Sequence, residues 1–134
     1  MQVKVLAESN FQIVAIVSGT GCDAEAFLRH GEETTRASRL GLLEMLAHVA
    51  DVGPQGLIAA WTHEVSKKDR IFEFIKGDLR LFYFKGAGRQ IVVCTSGVVK
   101  KKQKADQAAV KRAATARKEY LAAHKASTIE VIGK

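Results

Sequence analysis

Cysteine, proline and long apolar runs are scarce in this chain, and each scarcity removes a class of protein. The two cysteines, Cys22 and Cys94, stand far apart with no CxxC or Cys/His spacing, so neither a disulfide framework nor a zinc site is encoded. Both read as reduced, packed thiols, Cys94 within the apolar run Ile91-Val92-Val93-Cys94. The one proline, Pro54, lies in a loop, and no repeat or low-complexity linker divides the chain. No uninterrupted apolar stretch approaches the roughly eighteen residues of a membrane span. The N-terminus lacks a basic stretch leading into an apolar segment that ends in small residues. These two absences give the expectation of a cytoplasmic protein that touches no membrane.

Catalytic signatures are equally thin. The four histidines, His30, His48, His63 and His124, show no spacing for a metal or a nucleophilic triad, and no paired carboxylates stand out. Ser18-Gly19-Thr20-Gly21 lacks the trailing Gly-Lys-Ser/Thr of a phosphate loop and reads as a plain turn. No metal and no small-molecule cofactor is expected.

What is present is an ordinary apolar fraction, 47% of 134 residues, with 26% charged, which fits one folded domain spanning 1–134. The net charge of +7 is unevenly distributed. Residues 1–99 hold 11 Lys plus Arg against 11 Asp plus Glu, whereas residues 100–134 hold 10 against 3. A localised excess of this kind attracts polyanions, RNA first among them, or else solvates a basic helix.

Phe11 to Val17 is a short β-branched run closed by Ser18 and Gly19, hence a buried strand; Met1 to Ser9 alternates weakly and extends it or hangs loose. Asp23 caps a short helix to about His30. After Gly31 an amphipathic helix runs from Glu32 to about Asp51, before Gly53 and Pro54, completing a helical hairpin. A loop follows, Gly53 to Lys68. Ile71–Ile75, Leu79–Phe84 and Ile91–Thr95 are strands separated by short Gly-containing gaps, so they form an antiparallel meander. Ala105 to Lys125 is Ala-rich, without Gly or Pro, and helical. The expected fold class is α+β in the order strand, helix, helix, three-stranded antiparallel meander, C-terminal helix.

Within this frame Arg80 shares a strand face with Phe82 and Phe84. An arginine on a rigid sheet is suited to gripping phosphate; the bland alternative is an ion pair with an acid such as Glu73 on the neighbouring strand. Lys100, Lys101, Lys102 and Lys104 form a cationic run able to neutralise phosphates, or an exposed connection. Lys104, Lys111 and Lys118 recur every seven residues with Arg112 beside Lys111, making a basic stripe along the last helix.

Taken together, IFEFIKGDLRLFYF, IVVCTSGVVKKKQK and AVKRAATARKEYL, spanning about 71–121, resemble the C-terminal half of phage-derived HigB-like toxins of the RelE/ParE superfamily. In those toxins an arginine strand of the form Leu-Arg-x-Phe-Tyr is followed by a strand running into Lys-Lys-x-x-Lys, and a helix with a late Arg and Tyr closes the domain. The resemblance implies a RelE-like fold and the toxin of a type II toxin–antitoxin system. The activity it implies is a metal-independent mRNA endonuclease that works on the ribosome, the 2′-hydroxyl attacking the adjacent phosphate, and so inhibits translation. It gives Arg80 the role of stabilising the transition state, and Lys100 and Lys101 that of holding phosphate or shuttling a proton. Lys102, Lys104, Lys111, Arg112 and Lys118 would bind RNA. The chain departs from the pattern where related toxins carry His and an aromatic, since Ser96 and Val98 stand there. The general acid and base are therefore unassigned, with Tyr83 as a substitute or else a core residue. Implied partners are the ribosome, mRNA and a cognate antitoxin whose acidic segments would cover the basic stripe. The ParE arm of the superfamily implies an alternative, a non-enzymatic inhibitor of DNA gyrase. A non-toxic, basic RNA-binding phage accessory protein is a third reading.

Overall fold

The computed structural model describes residues 1–19, 21–100 and 106–133. The first apolar run does form a strand, β2 (Gln12–Val17), but a strand precedes it. The weakly alternating residues make β1 (Gln2–Glu8), paired antiparallel with β2 from Gln2 opposite Val17 to Glu8 opposite Gln12. The helical hairpin follows as α1 (Asp23–Arg29), one 3₁₀ turn at Glu33–Thr35, and α2 (Arg36–Val52). Asp23 opens α1 from inside its first turn, where with Glu25 it faces the positive end of the helix dipole; Cys22 occupies the cap position. α2 stops at Gly53, whose φ of 89° suits only glycine.

The meander has four strands, not the expected three: β3 (Thr62–Ser66), β4 (Ile71–Lys76), β5 (Leu79–Phe84) and β6 (Gln90–Val99). The second half of the expected Gly53–Lys68 loop is therefore corrected to a strand, with His63 opposite Glu73 on β4. β4 and β5 are joined by two residues, Gly77-Asp78, with Gly77 at φ 55°, the residue type that such tight hairpins demand. β6 also pairs in parallel with β2, Val14 opposite Val93, and a short last strand, β7 (Glu130–Ile132), pairs in parallel with β1. The result is one mixed seven-stranded sheet in the order β3-β4-β5-β6-β2-β1-β7, larger than a three-stranded meander but α+β as expected.

Helices cover both faces, which is why the central strands read as continuous apolar runs. On one face α1 and α2 pack Leu28, Leu42 and Leu46 over Ile13, Phe74, Leu81 and Tyr83. There Gly97 lacks a Cβ where the Phe27 ring lies flush on β6; any side chain would overlap that ring. On the other face α3 (Gln107–Lys125) packs Val110, Ala113 and Tyr120 over Val14, Phe82, Phe84 and Val93. Asp106 caps α3, its carboxylate accepting the Ala109 N–H at 3.0 Å. No helix among the described residues is long and apolar enough to cross a membrane.

Tyr120 anchors the far end of α3. Its ring is fully buried edge-on to Phe84, and its hydroxyl donates to Gln90 Oε1 at 2.6 Å and accepts the Ala87 N–H at 3.2 Å. Tyr120→Phe removes that group and takes a partner from the part-buried Ala87 N–H and Gln90 Oε1, so it should cost about 1 kcal/mol. Urea unfolding is expected to show a lower midpoint with an unchanged slope.

Candidate functional site

Along β5 the two-residue period sends Leu79, Leu81 and Tyr83 toward α1 and α2, and Arg80, Phe82 and Phe84 toward α3. Arg80 thus lies among apolar neighbours, with its side chain only 17% exposed. It is held from three sides. Nη1 donates to the carbonyls of Gly77 at 2.8 Å and Leu79 at 3.0 Å, and Nε lies 3.6 Å from Glu73 Oε2. The ion pair foreseen as the bland reading therefore exists. Nη2 makes no hydrogen bond among the described residues.

Glu73 sits directly across from Phe82, on β4, and is 1% exposed. Its Oε2 is approached by a second group, Nδ1 of His63 at 3.2 Å, from the facing position on β3. Neither carboxylate oxygen has a partner of good hydrogen-bond geometry among the described residues, and the same holds for Arg80 Nε. A buried carboxylate so loosely satisfied is unusual in a folded chain. His63 belongs to the edge strand of the sheet and its side chain is 52% exposed. His63, Glu73 and Arg80 thus form a polar line from the open edge into the sheet.

Lys100 follows the end of β6, where Val98 lies opposite Arg80. Its N–H donates to the Asp78 carbonyl at 2.7 Å, which carries the pairing one step further and brings the start of the lysine run beside the Arg80 strand. Lys101, Lys102 and Lys104 lie outside the described residues.

Tyr83 takes the core position, the second of the two readings open to it. It faces α1 and α2, on the opposite side of the sheet from Arg80, and is 1% exposed. Its ring stacks on Phe74 and Phe72, and its hydroxyl shares a 2.6 Å hydrogen bond with Thr62. Burial pushes its hydroxyl pKa up to about 12, the Thr62 bond opposing only in part. Burial raises the Cys94 and Cys22 thiols too. None of these is a ready proton donor for a site on the other face.

Lys111 and Arg112 are exposed on α3 and line a cleft of about 380 Å³ together with Thr95, Ser96 and Thr115. Thr95 and Ser96 reach that cleft at a β-bulge, where β6 slips by a residue against β5 between Tyr83 and Leu81. Asp23 and Glu119 also line it and temper its charge. Lys118 is exposed further along the helix. A second cleft, of about 560 Å³, gathers Lys67, Arg70, Lys85 and Arg117 against a single acid, Glu64. Sequence reasoning missed these cations because they come from three elements, and only the fold sums them. It also missed His63, which it left in a loop. Its only signal was the unnoticed strand around it.

Among the described residues no group of three or more His, Cys, Asp or Glu side chains is placed to hold a metal ion. No protein-family model, curated protein or solved structure matches the chain.

The Tyr83 shift has a sign. The folded chain keeps a proton that the unfolded chain loses from about pH 10 upward, so this contribution is intact below pH 10 and disappears as pH rises through about 12. Tyr83→Phe should weaken the alkaline loss of stability seen in urea midpoints between about pH 10 and 12. At neutral pH it should cost about 1 kcal/mol by leaving the Thr62 hydroxyl unpaired.

Proposed function

We propose that this chain is a toxin of the RelE/ParE type that cleaves mRNA on the ribosome without a metal. The observation that carries the reading is Arg80: a guanidinium fixed to the sheet by two backbone carbonyls and Glu73, its Nη2 without a hydrogen bond among the described residues, next to the strand end that leads into four lysines. A cleaved phosphodiester gains negative charge as the 2′-oxygen adds to phosphorus. A cation already held in place stabilises that charge without having to reorganise. Lys100 and Lys101 grip the flanking phosphates, and Lys102, Lys104, Lys111, Arg112 and Lys118 carry the message and the ribosomal RNA. Support for the RelE-like arrangement comes from the order of the linked motifs over 71–121, with the arginine strand inside an antiparallel meander and a basic helix after it. A cognate antitoxin with acidic segments would neutralise the toxin by covering the same basic surface.

Induction of the wild-type chain in bacteria should arrest protein synthesis and produce new mRNA ends inside reading frames. Arg80→Ala should abolish both. Because it strands a buried carboxylate, Arg80→Lys serves as its control: it keeps a charge beside Glu73 but lacks the planar fork, and should stay folded with most of the activity lost. Full toxicity in both variants would remove Arg80 from this role. Intact translation with a DNA-damage response would instead indicate gyrase inhibition, and harmless induction a plain RNA-binding module.

The stripe has its own test. Replacing Lys111, Arg112 and Lys118 with alanine should weaken ribosome binding and flatten the salt dependence, by roughly 0.7 in log–log slope for each phosphate of single-stranded RNA that is no longer neutralised. An unchanged slope would take those three residues out of the interface.

A further inference from the structure

The endonuclease reading leaves its general base unassigned, and the structure offers one. Resting on that reading, we propose that His63 is the catalytic base of the cleavage, oriented by the buried Glu73 and set beside Arg80 by their shared contact with Glu73 Oε2.

Glu73 is 1% exposed, and neither of its oxygens is well satisfied within the described fold, yet Oε2 has His63 Nδ1 at 3.2 Å and Arg80 Nε at 3.6 Å. Such a group serves packing poorly. It serves orientation well: an acceptor facing Nδ1 selects the tautomer with its hydrogen there and leaves the Nε2 lone pair pointing away. His63 is on the edge strand of the described sheet and its side chain is half-exposed, so the ring is open to solvent. One carboxylate oxygen therefore sets the imidazole and the guanidinium side by side. A base and a cation in that relation are what attack by a 2′-hydroxyl on its neighbouring phosphate requires.

The step balances within the RNA. The 2′-hydroxyl gives its proton to His63 Nε2 as its oxygen bonds to phosphorus, and Arg80 faces the charge that accumulates on the phosphoryl oxygens. The P–O5′ bond then breaks. The departing 5′ oxygen takes a proton from solvent, and the imidazolium returns its own to solvent. The products are a 2′,3′-cyclic phosphate and a 5′-hydroxyl, with no oxidant, metal or added nucleophile involved.

The test uses the full chain, intact 70S ribosomes and one defined mRNA in the A site, with single-turnover cleavage and ribosome affinity measured separately. His63→Ala should lower the cleavage rate by at least about a hundredfold while binding is unchanged, and added imidazole should restore part of the rate, which a structural role for the ring would not allow. Glu73→Gln, which keeps an acceptor of the same shape, should fall between the two and show no rescue. If the wild type cleaves and His63→Ala cleaves as fast, the assignment of His63 is wrong while the endonuclease reading stands. A rate loss that imidazole does not touch also overturns it. A wild type that binds ribosomes and leaves the message intact overturns both.

Discussion

The parallel pairing of β2 with β6 governs this fold. It joins a hairpin made from the first seventeen residues to a meander that closes some seventy residues later, and two parallel strands can be joined only by a long connection. α1, α2 and the first three meander strands are that connection. Once the pairing forms, β5, β6 and β2 lie at the centre of a seven-stranded sheet with two apolar faces, and each face needs a cover. The helical hairpin takes one and α3 the other, which is why Phe82, Val93 and Val14 are as deeply buried as Leu81, Val92 and Ile13 on the reverse side.

Covering the second face is what makes the polar line unusual. On a sheet with one wet side, Arg80 and Glu73 would be ordinary surface residues. On the face that α3 covers, Glu73 lies opposite Phe82 and Arg80 opposite Val98, and the sheet register decides their partners. The register puts Glu73 opposite Phe82 instead of Arg80, so the carboxylate reaches the guanidinium on the diagonal, at 3.6 Å, and the histidine straight across, at 3.2 Å. The two-residue hairpin at Gly77-Asp78 then brings the Gly77 carbonyl to Arg80 Nη1. The site is thus built from backbone geometry as much as from side-chain choice.

How much of this the sequence disclosed depended on element length and on burial. β5 and α3 were legible almost to their ends, because LRLFYF is apolar on both faces and the Ala-rich run after Asp106 has no competing signal. β3 was not: THEVS buries only Thr62 and exposes His63 and Glu64, so an edge strand resembled a loop. β1 alternates weakly because a bulge between Val5 and Ala7 shifts its period, and β7 has only three residues. Arg80 could be placed on a face from periodicity alone. The role of His63 could not, because it depends on cross-strand register between two elements, one of which left no pattern.

The energetics of Glu73 bear on whether its cluster is scaffold or site. Desolvating a carboxylate and a guanidinium costs several kcal/mol for each ion, and a pair repays this only with good geometry and its remaining hydrogen bonds made. Here the contact is a single long approach to Nε, and both oxygens of Glu73 remain short of partners among the described residues. Apolar residues of similar volume would join Phe82 and Ile71 in the core at little or no loss of stability, and commonly at a gain. Stability therefore does not account for a Glu at this position. Orientation does: the carboxylate faces both an imidazole at the sheet edge and a guanidinium whose Nη2 makes no hydrogen bond among the described residues, and a rigid β-strand is the element best able to keep both in place.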